Sequence, residues 1–599
     1  MKKELVSFVV CCALFVLFAF GITAFYNKEF LAWASEISLF LPTRMFLLQN
    51  MQTAGGLLSY GGAFFTQFFY YPLLGSLMLI VLLSLVTFLV IKAFRFSGQT
   101  VYLSFIPALA LLLSVTEVEY VLYSLKTPGY LFSNTLGIIV CLSSLWGYRN
   151  VQKDLMRMSL LPLFIILTYP LFGFYTLFAA VLCVLTDLIE KRPQKLLKIL
   201  ITILLIGIVP YLYSRFIYTQ MPWSETYTAG LPHFFFTRVE LPLWIPFIVL
   251  FLSLLIFSVN LRIQQKRSKM KMIVSICVFL ISIYGVYALS YRNSNFKTEL
   301  QMLQAIETDD WNRVVSIGEQ QRGQPTRLIV MCWNLALYKL GQAGDRMFEM
   351  DNNSVMPQTR RQRMVMMHAG AKPVYYQYGK INYCYRWCME DLVEYGMTVQ
   401  DLKYMVKCAL MNGELALASK CNNILKQTLF HKQWAKRYQQ YIDNPEMIKE
   451  DAEMKAICPL TAYQNLLDGD NNMLELYILN SFAFMEGGTP EVVEMSLICN
   501  MILKNIERFW PRFFLYARTH NRIPVCYQEA AVLYAYLEGE VDAGSLPLDD
   551  AVIDNFNNLI WLSKKNTDMS DEYNRKAFKP QFGKTFWYYY FFIIDNKMN

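Results

Sequence analysis

The sequence predicts an all-α protein in two parts. Residues 1–291 form a polytopic transmembrane helical domain of about nine crossings with one broken hairpin, and residues 292–599 form an α-solenoid of tetratricopeptide type. Three observations predict this division. Hydrophobic residues make up 55% of the 599-residue chain, more than a soluble chain carries. The excess lies before Arg292, where apolar runs of bilayer-spanning length recur and then stop. Charge divides at the same place, with 21 Lys+Arg against 10 Asp+Glu in residues 1–291 and 34 against 36 afterwards. The basic balance therefore belongs to the membrane part, where cations flank spans on the cytoplasmic side, and no nucleic-acid partner is expected.

Lys2 and Lys3 precede the apolar run 5–25, which reads as an uncleaved signal anchor with its N-terminus inside. Further spans are predicted at 72–90, 101–115 and 130–146. Their loops obey the positive-inside rule, with Lys92 and Arg95 inside, Glu117, Glu119 and Lys126 outside, and Arg149, Lys153 and Arg157 inside. Residues 158–186 then run for 29 residues without a charge, interrupted by Pro170 and Gly173. As one helix this run leaves 9 basic residues inside and 12 outside over the membrane part, whereas a hairpin turning at 169–173 places 16 inside and 5 outside. The hairpin is the reading the charges favour, and any backbone it frees at membrane depth must be satisfied by protein or line a polar cavity. The remaining spans fall at 199–213, 241–261 and 272–291, so the second part emerges on the outer side. Almost no ionisable residue falls within the spans, with Asp187 and Glu190 at a cytoplasmic end, which argues against a proton-coupled carrier.

Two outward loops carry the candidate chemistry. In residues 26–71, Asn27 is an N-cap candidate for a helix through about Leu41, on which Phe30, Ala34, Ile37 and Leu41 make one stripe. Glu29 and Glu36 share a polar edge of that helix, which is predicted to lie on the outer leaflet, with Arg44 beyond it. A carboxylate near lipid can act as a general base, and equally it can be a solvated charge on an amphipathic helix. The segment ends in Tyr70 and Tyr71, whose rings can stack on sugar. In residues 215–240, Arg215 and Arg238 can grip a diphosphate headgroup and Trp223 and His233 can contact a substrate. The same residues also fit an aromatic belt with flanking charges.

From Phe296 the pattern changes to amphipathic helices, clearest at 298–307, 310–321, 326–340, 402–412 and 414–427. Gly341, Gly413 and Gly539 each follow a helical segment in the manner of a tetratricopeptide turn, and an irregular helical domain is the other reading. Residues 350–363 read as a polar linker, and the aromatic run 579–592 as a cap on the solenoid or a membrane contact. The thirteen cysteines fit neither a disulfide framework nor a zinc pattern, the four histidines are isolated, and no nucleotide or hydrolase motif occurs. No metal or cofactor is expected.

Gly55-Gly56-Leu57-Leu58-Ser59-Tyr60, Thr66-Gln67-Phe68-Phe69-Tyr70-Tyr71-Pro72 and Tyr527-Gln528-Glu529-Ala530, with the helical tail, resemble a family of uncharacterised multi-span membrane proteins of Bacteroidetes-type bacteria. The resemblance implies a bacterial inner-membrane location and no activity, while the charge count over the hairpin predicts a cytoplasmic N-terminus and a periplasmic C-terminal domain. More distantly, the layout is similar to the GT-C class of membrane glycosyltransferases. That likeness implies transfer of a sugar from a polyprenyl-phosphate donor, with Glu36, or less well Glu29, at the acidic position, although the paired acidic motif of the class is missing. The alternative is a non-enzymatic anchored solenoid that binds membrane lipid and an envelope protein partner.

Overall fold

The structure is a computed structural model that describes residues 2–125, 128–234, 241–259, 269–351, 360–461, 469–471, 473–539, 544, 546–565 and 571–593. Every regular element among these residues is helical. By compactness the chain divides into two units. The first is Met1–Arg292 with Asp391–Asp401 and Asn423–Ala435, and the second is Asn293–Glu390, Leu402–Asn422 and Lys436–Asn599.

The first unit begins with α1 (Lys2–Phe20), extended by a π-helical turn over Gly21–Tyr26. Three short helices follow, α2 (Lys28–Glu36), α3 (Arg44–Asn50) and α4 (Gly56–Thr66), and then a 3-10 turn, Gln67–Tyr70. Next comes α5 (Pro72–Phe94), which opens on Pro72, where a missing N–H costs nothing. The chain continues through α6 (Phe105–Thr116), α7 (Tyr130–Asn150), α8 (Asp154–Phe172), α9 (Phe174–Ile189), α10 (Lys195–Phe216), α11 (Ile245–Val259) and α12 (Lys269–Leu289). Among the described residues eight segments are long and apolar enough to cross a membrane, and α9, at 16 residues, is a shorter apolar helix.

The expected break between α8 and α9 falls at Gly173, with φ 53° and ψ −127°. A side chain does not fit there, because a Cβ would lie 2.2 Å from the Ala229 carbonyl oxygen. Pro170 stays inside α8, and the backbone groups near the break are satisfied by protein. Gly55 N–H donates to the Pro170 carbonyl at 3.0 Å and Phe174 N–H donates to the Ala229 carbonyl at 2.8 Å. Tyr169 is fully buried and its hydroxyl donates to the Thr226 carbonyl at 2.5 Å. This is how backbone freed at membrane depth must be handled.

At the opposite end of this hairpin the C-termini of α5, α7 and α9 meet the N-termini of α8 and α10. Arg149 on α7 donates to the Ala93 carbonyl of α5 and pairs with Glu190 after α9 at 2.8 Å. Arg157 on α8 pairs with Asp187 on α9 at 2.5 Å, and Lys198 on α10 reaches the same carboxylate at 2.8 Å. The hairpin topology is thus visible in which helix ends touch. The far end agrees with it, since Thr116 at the close of α6 bonds Ser290 after α12 at 2.8 Å.

The second unit comprises α13 (Ser294–Glu307), α14 (Trp311–Glu319), α15 (Arg327–Lys339), α16 (Ala343–Arg346) and α17 (Arg360–Gln377). Next in the chain are α18 (Ile381–Tyr395), α19 (Val399–Met411), α20 (Leu415–Leu425) and α21 (Lys432–Asp443), each of which gives some residues to the first unit. The chain ends with α22 (Ala452–Ile457), α23 (Leu474–Ala483), α24 (Pro490–Ile502), α25 (Ile506–Thr519), α26 (Val525–Glu538), α27 (Asp550–Lys565), α28 (Asp571–Phe582) and α29 (Phe586–Phe592). Caps define the starts and stops. Asp310 accepts from Arg313 N–H at 3.1 Å, Thr326 accepts from Ile329 N–H, and Gly341 and Gly413 end their helices at φ 66° and 75°.

Contacts here extend beyond neighbouring helices. Helix α16 packs on α26, and the buried Arg327 of α15 pairs with Glu475 of α23. A repeat array is held by nearest-neighbour contacts, and these pairs, distant in the chain, are not of that kind. Of the aromatic run expected at 579–592, Phe582, Phe586, Trp587 and Tyr588 are buried within this unit and Phe591 is exposed. Phe586 and Trp587 are fully inaccessible, and the Trp587 indole donates to the Glu529 carbonyl at 2.7 Å. The expected polar linker falls mostly in 352–359, outside the described residues, as do Lys126, Arg238, Glu240, Arg262, Lys266 and Arg267.

Candidate functional site

The loop of residues 26–71 is more deeply packed than the interfacial helix expected of it. Helix α2 stops at Glu36 rather than near Leu41, and Asn27 does not cap it, its amide donating instead to the Ile22 carbonyl at 3.0 Å. Phe30, Leu31, Trp33 and Ala34 are all buried, and Trp33 lies on Tyr123 with ring centroids 3.9 Å apart. The apolar stripe is real, but it packs against the 3-10 turn and α5. Glu29, expected on the polar edge, is 6% exposed and 3.8 Å from the Lys28 ammonium, while Glu36 is half-buried at the helix end.

Later residues of the same unit cover the aromatic end of this loop. Tyr70 stacks parallel on Phe430 at 5.3 Å and meets His431 edge-on at 5.1 Å, and Tyr71 meets Phe430 at 5.7 Å. Val399 N–H donates to the Ser38 carbonyl at 3.2 Å. Ser35, Ser38, Gln67, Thr428 and His431 line the space left between them, about 10 Å³, room for roughly one water molecule. One face of the Tyr70 ring, expected to stack on sugar, is therefore taken by Phe430, while Tyr70 and Tyr71 remain partly exposed.

The second loop holds its own group. Arg215 is exposed in the last turn of α10, without an ion-pair partner among the described residues. Trp223 is exposed and edge-on to Tyr211 at 5.4 Å and Tyr227 at 5.9 Å, and His233 Nε2 lies 3.8 Å from Glu225. The two loops meet through backbone, where Gly55 and Gly230 approach closely beside Gly173. No hydrogen bond or ion pair joins Glu29 or Glu36 to Arg215, Trp223 or His233.

Sequence reasoning missed the ionic layer at the other end. Arg157 and Asp187 are wholly buried and Lys198 and Arg149 nearly so. Asp187 accepts from Arg157, Lys198 and the Tyr148 hydroxyl at 2.8 Å. The Arg157 guanidinium also donates to the carbonyls of Val151 at 2.8 Å and Arg149 at 3.0 Å. Each partner comes from a different helix, so no sequence spacing announces the cluster. A carboxylate held by two cations and a phenol from three other helices clamps those helix ends together.

The second unit contains a further buried pair, Lys407 with Glu453 at 2.7 Å, to which Gln377 also donates at 3.0 Å. Glu529 is buried, accepts from Phe586 N–H at 2.7 Å, and is pushed up to about 8 by loss of solvent. Among the described residues no group of three or more His, Cys, Asp or Glu side chains is arranged to hold a metal ion.

No curated protein and no solved structure matches the chain. A family model matches residues 2–593, and on that near-complete coverage the chain belongs to a Family of unknown function (DUF6057).

Proposed function

We propose that this protein is a non-enzymatic scaffold of the bacterial inner membrane, anchored by its helical bundle and offering helical-repeat surface to an envelope protein on the periplasmic side. The observation that carries the reading is the Tyr70 ring stacked on Phe430. The aromatic platform of the first outward loop is used to seat residues of its own chain. The cytoplasmic N-terminus and periplasmic second unit follow from the charge count over a hairpin, and the helix-ending glycines Gly341 and Gly413 support the tetratricopeptide-like reading.

One observation favours a GT-C-like transferase acting on a polyprenyl-phosphate sugar. The Gly55, Gly173 and Gly230 junction brings the two outward loops together at the hairpin, with Glu36 on one of them. In that reading Glu36 or Glu29 is the base, Arg215 and Arg238 hold the phosphate, and Tyr71, Trp223 and His233 contact the sugar. Complementation of a deletion strain separates the two, with envelope proteome and envelope glycans both measured. The scaffold reading expects the E29Q/E36Q variant to restore both profiles and Y70A/F430A to fail on the proteome at normal membrane abundance. Loss of glycan restoration in E36Q alone supports the transferase and contradicts the scaffold.

A further inference from the structure

The ionic end of the helical bundle carries more cation than it can neutralise. Its three carboxylates are all engaged internally. Asp187 is held by Arg157 and Lys198, Glu190 by Arg149 and, at 3.4 Å, Arg192, and Asp154 lies 3.6 Å from Lys198. Lys92, Arg95, Lys153 and Lys191 are exposed around this layer and Lys195 is half-buried, none with a carboxylate in ion-pair range among the described residues. The nearest protein acceptor to Arg95 is the Arg149 carbonyl, at a long 3.5 Å.

Two of these cations are held where a side chain is costly. Arg95, just past α5, has φ 54°, and Lys191, just past α9, has φ 55°. Glycine fills such left-handed positions without strain. At both positions the side chain carries a charge with no carboxylate in ion-pair range among the described residues, which leaves it open to an external anion.

The surroundings decide which anion. Leu155, two residues after Lys153, is 80% exposed, and Leu196, beside Lys195, is 75% exposed. Free phosphate has no use for them, whereas a lipid needs cations for its headgroup and apolar surface for its chains. We propose that this collar of Lys92, Arg95, Lys153, Lys191 and Lys195 binds the headgroup of an anionic phospholipid, with Leu155 and Leu196 against its acyl chains. The ionic layer beneath fixes the four helix ends, of α5, α8, α9 and α10, that present the cations. This inference goes beyond the scaffold reading and holds whichever function is correct.

The test uses the full chain reconstituted in nanodiscs of equal parts phosphatidylglycerol and phosphatidylethanolamine, then released for native mass spectrometry of retained lipid. Wild type is expected to retain phosphatidylglycerol in preference. K92Q/R95Q/K191Q is expected to lose that preference by about fivefold per charge removed at low salt, while the charge-preserving R95K/K191R variant keeps it. Equal retention of the two lipids by wild type overturns the proposal, as does undiminished preference in the neutralised variant. Displacement by millimolar inorganic phosphate overturns it in favour of a free-phosphate site.

Discussion

Asp187 shows how much a single side chain can decide in the first unit. It is completely buried and satisfies two cations and a phenol from three other helices. Removing its charge leaves Arg157 with carbonyl acceptors alone and Lys198 with only Asp154 at 3.6 Å, and breaking a buried pair in this way costs about 3–5 kcal/mol. Thermal unfolding in detergent is therefore expected to show D187N strongly destabilised. A quadruple variant with Asp154, Arg157, Asp187 and Lys198 all made apolar is expected to unfold nearer wild type than D187N, because no charge of the cluster is left unpaired. Glu529 in the second unit makes a different prediction. Its folded-state pKa of about 8 lies above the usual carboxylate value of 4.5, so between these values the folded form binds the extra proton. Stability from this group is complete below the lower value and falls as pH rises through the upper, by about 1.4 kcal/mol for each unit of the raise. E529Q is expected to flatten the fall in melting temperature between pH 5 and pH 8, and an unchanged slope would contradict the assignment. Both charges were legible as letters. Their burial was not, because it depends on partners distant in the chain.

At the scale of elements, the hairpin was the most legible feature. Pro170 and Gly173 punctuate an uncharged run too long for one span, and the positive-inside rule required a break there. The structure moves the turn wholly onto Gly173 and leaves Pro170 within α8. G173A is expected to destabilise the bundle by more than about 1–2 kcal/mol, since it adds a collision with the Ala229 carbonyl to a left-handed backbone. Unfolding midpoints near wild type would show that the turn relaxes. Helix α2 was read less well. Phe30, Ala34, Ile37 and Leu41 keep helical spacing, yet the helix ends at Glu36, because packed loop residues satisfy the same apolar pattern without helical backbone. In the second unit, caps and glycines located several helices to within a few residues, whereas the pairing of α15 with α23 and of α16 with α26 left no local trace.

For the whole molecule, composition and charge distinguish an apolar helical half from a mixed helical one, and among the described residues eight helices have the length and hydropathy to cross a membrane. Function was far less legible. The candidate residues are ordinary types without a motif, and their placement on two loops that meet at Gly55 and Gly230 is a tertiary fact. The side on which the second unit emerges rests on whether α9, at 16 residues, crosses as a separate span. With α9 crossing, nine passes carry residues after Arg292 to the periplasm, where both functional readings need them. Paired alkaline phosphatase and green fluorescent protein fusions after Arg292 test this directly. Active phosphatase with a dark fluorescent fusion is the predicted result, and inactive phosphatase with a bright fluorescent fusion would contradict the account.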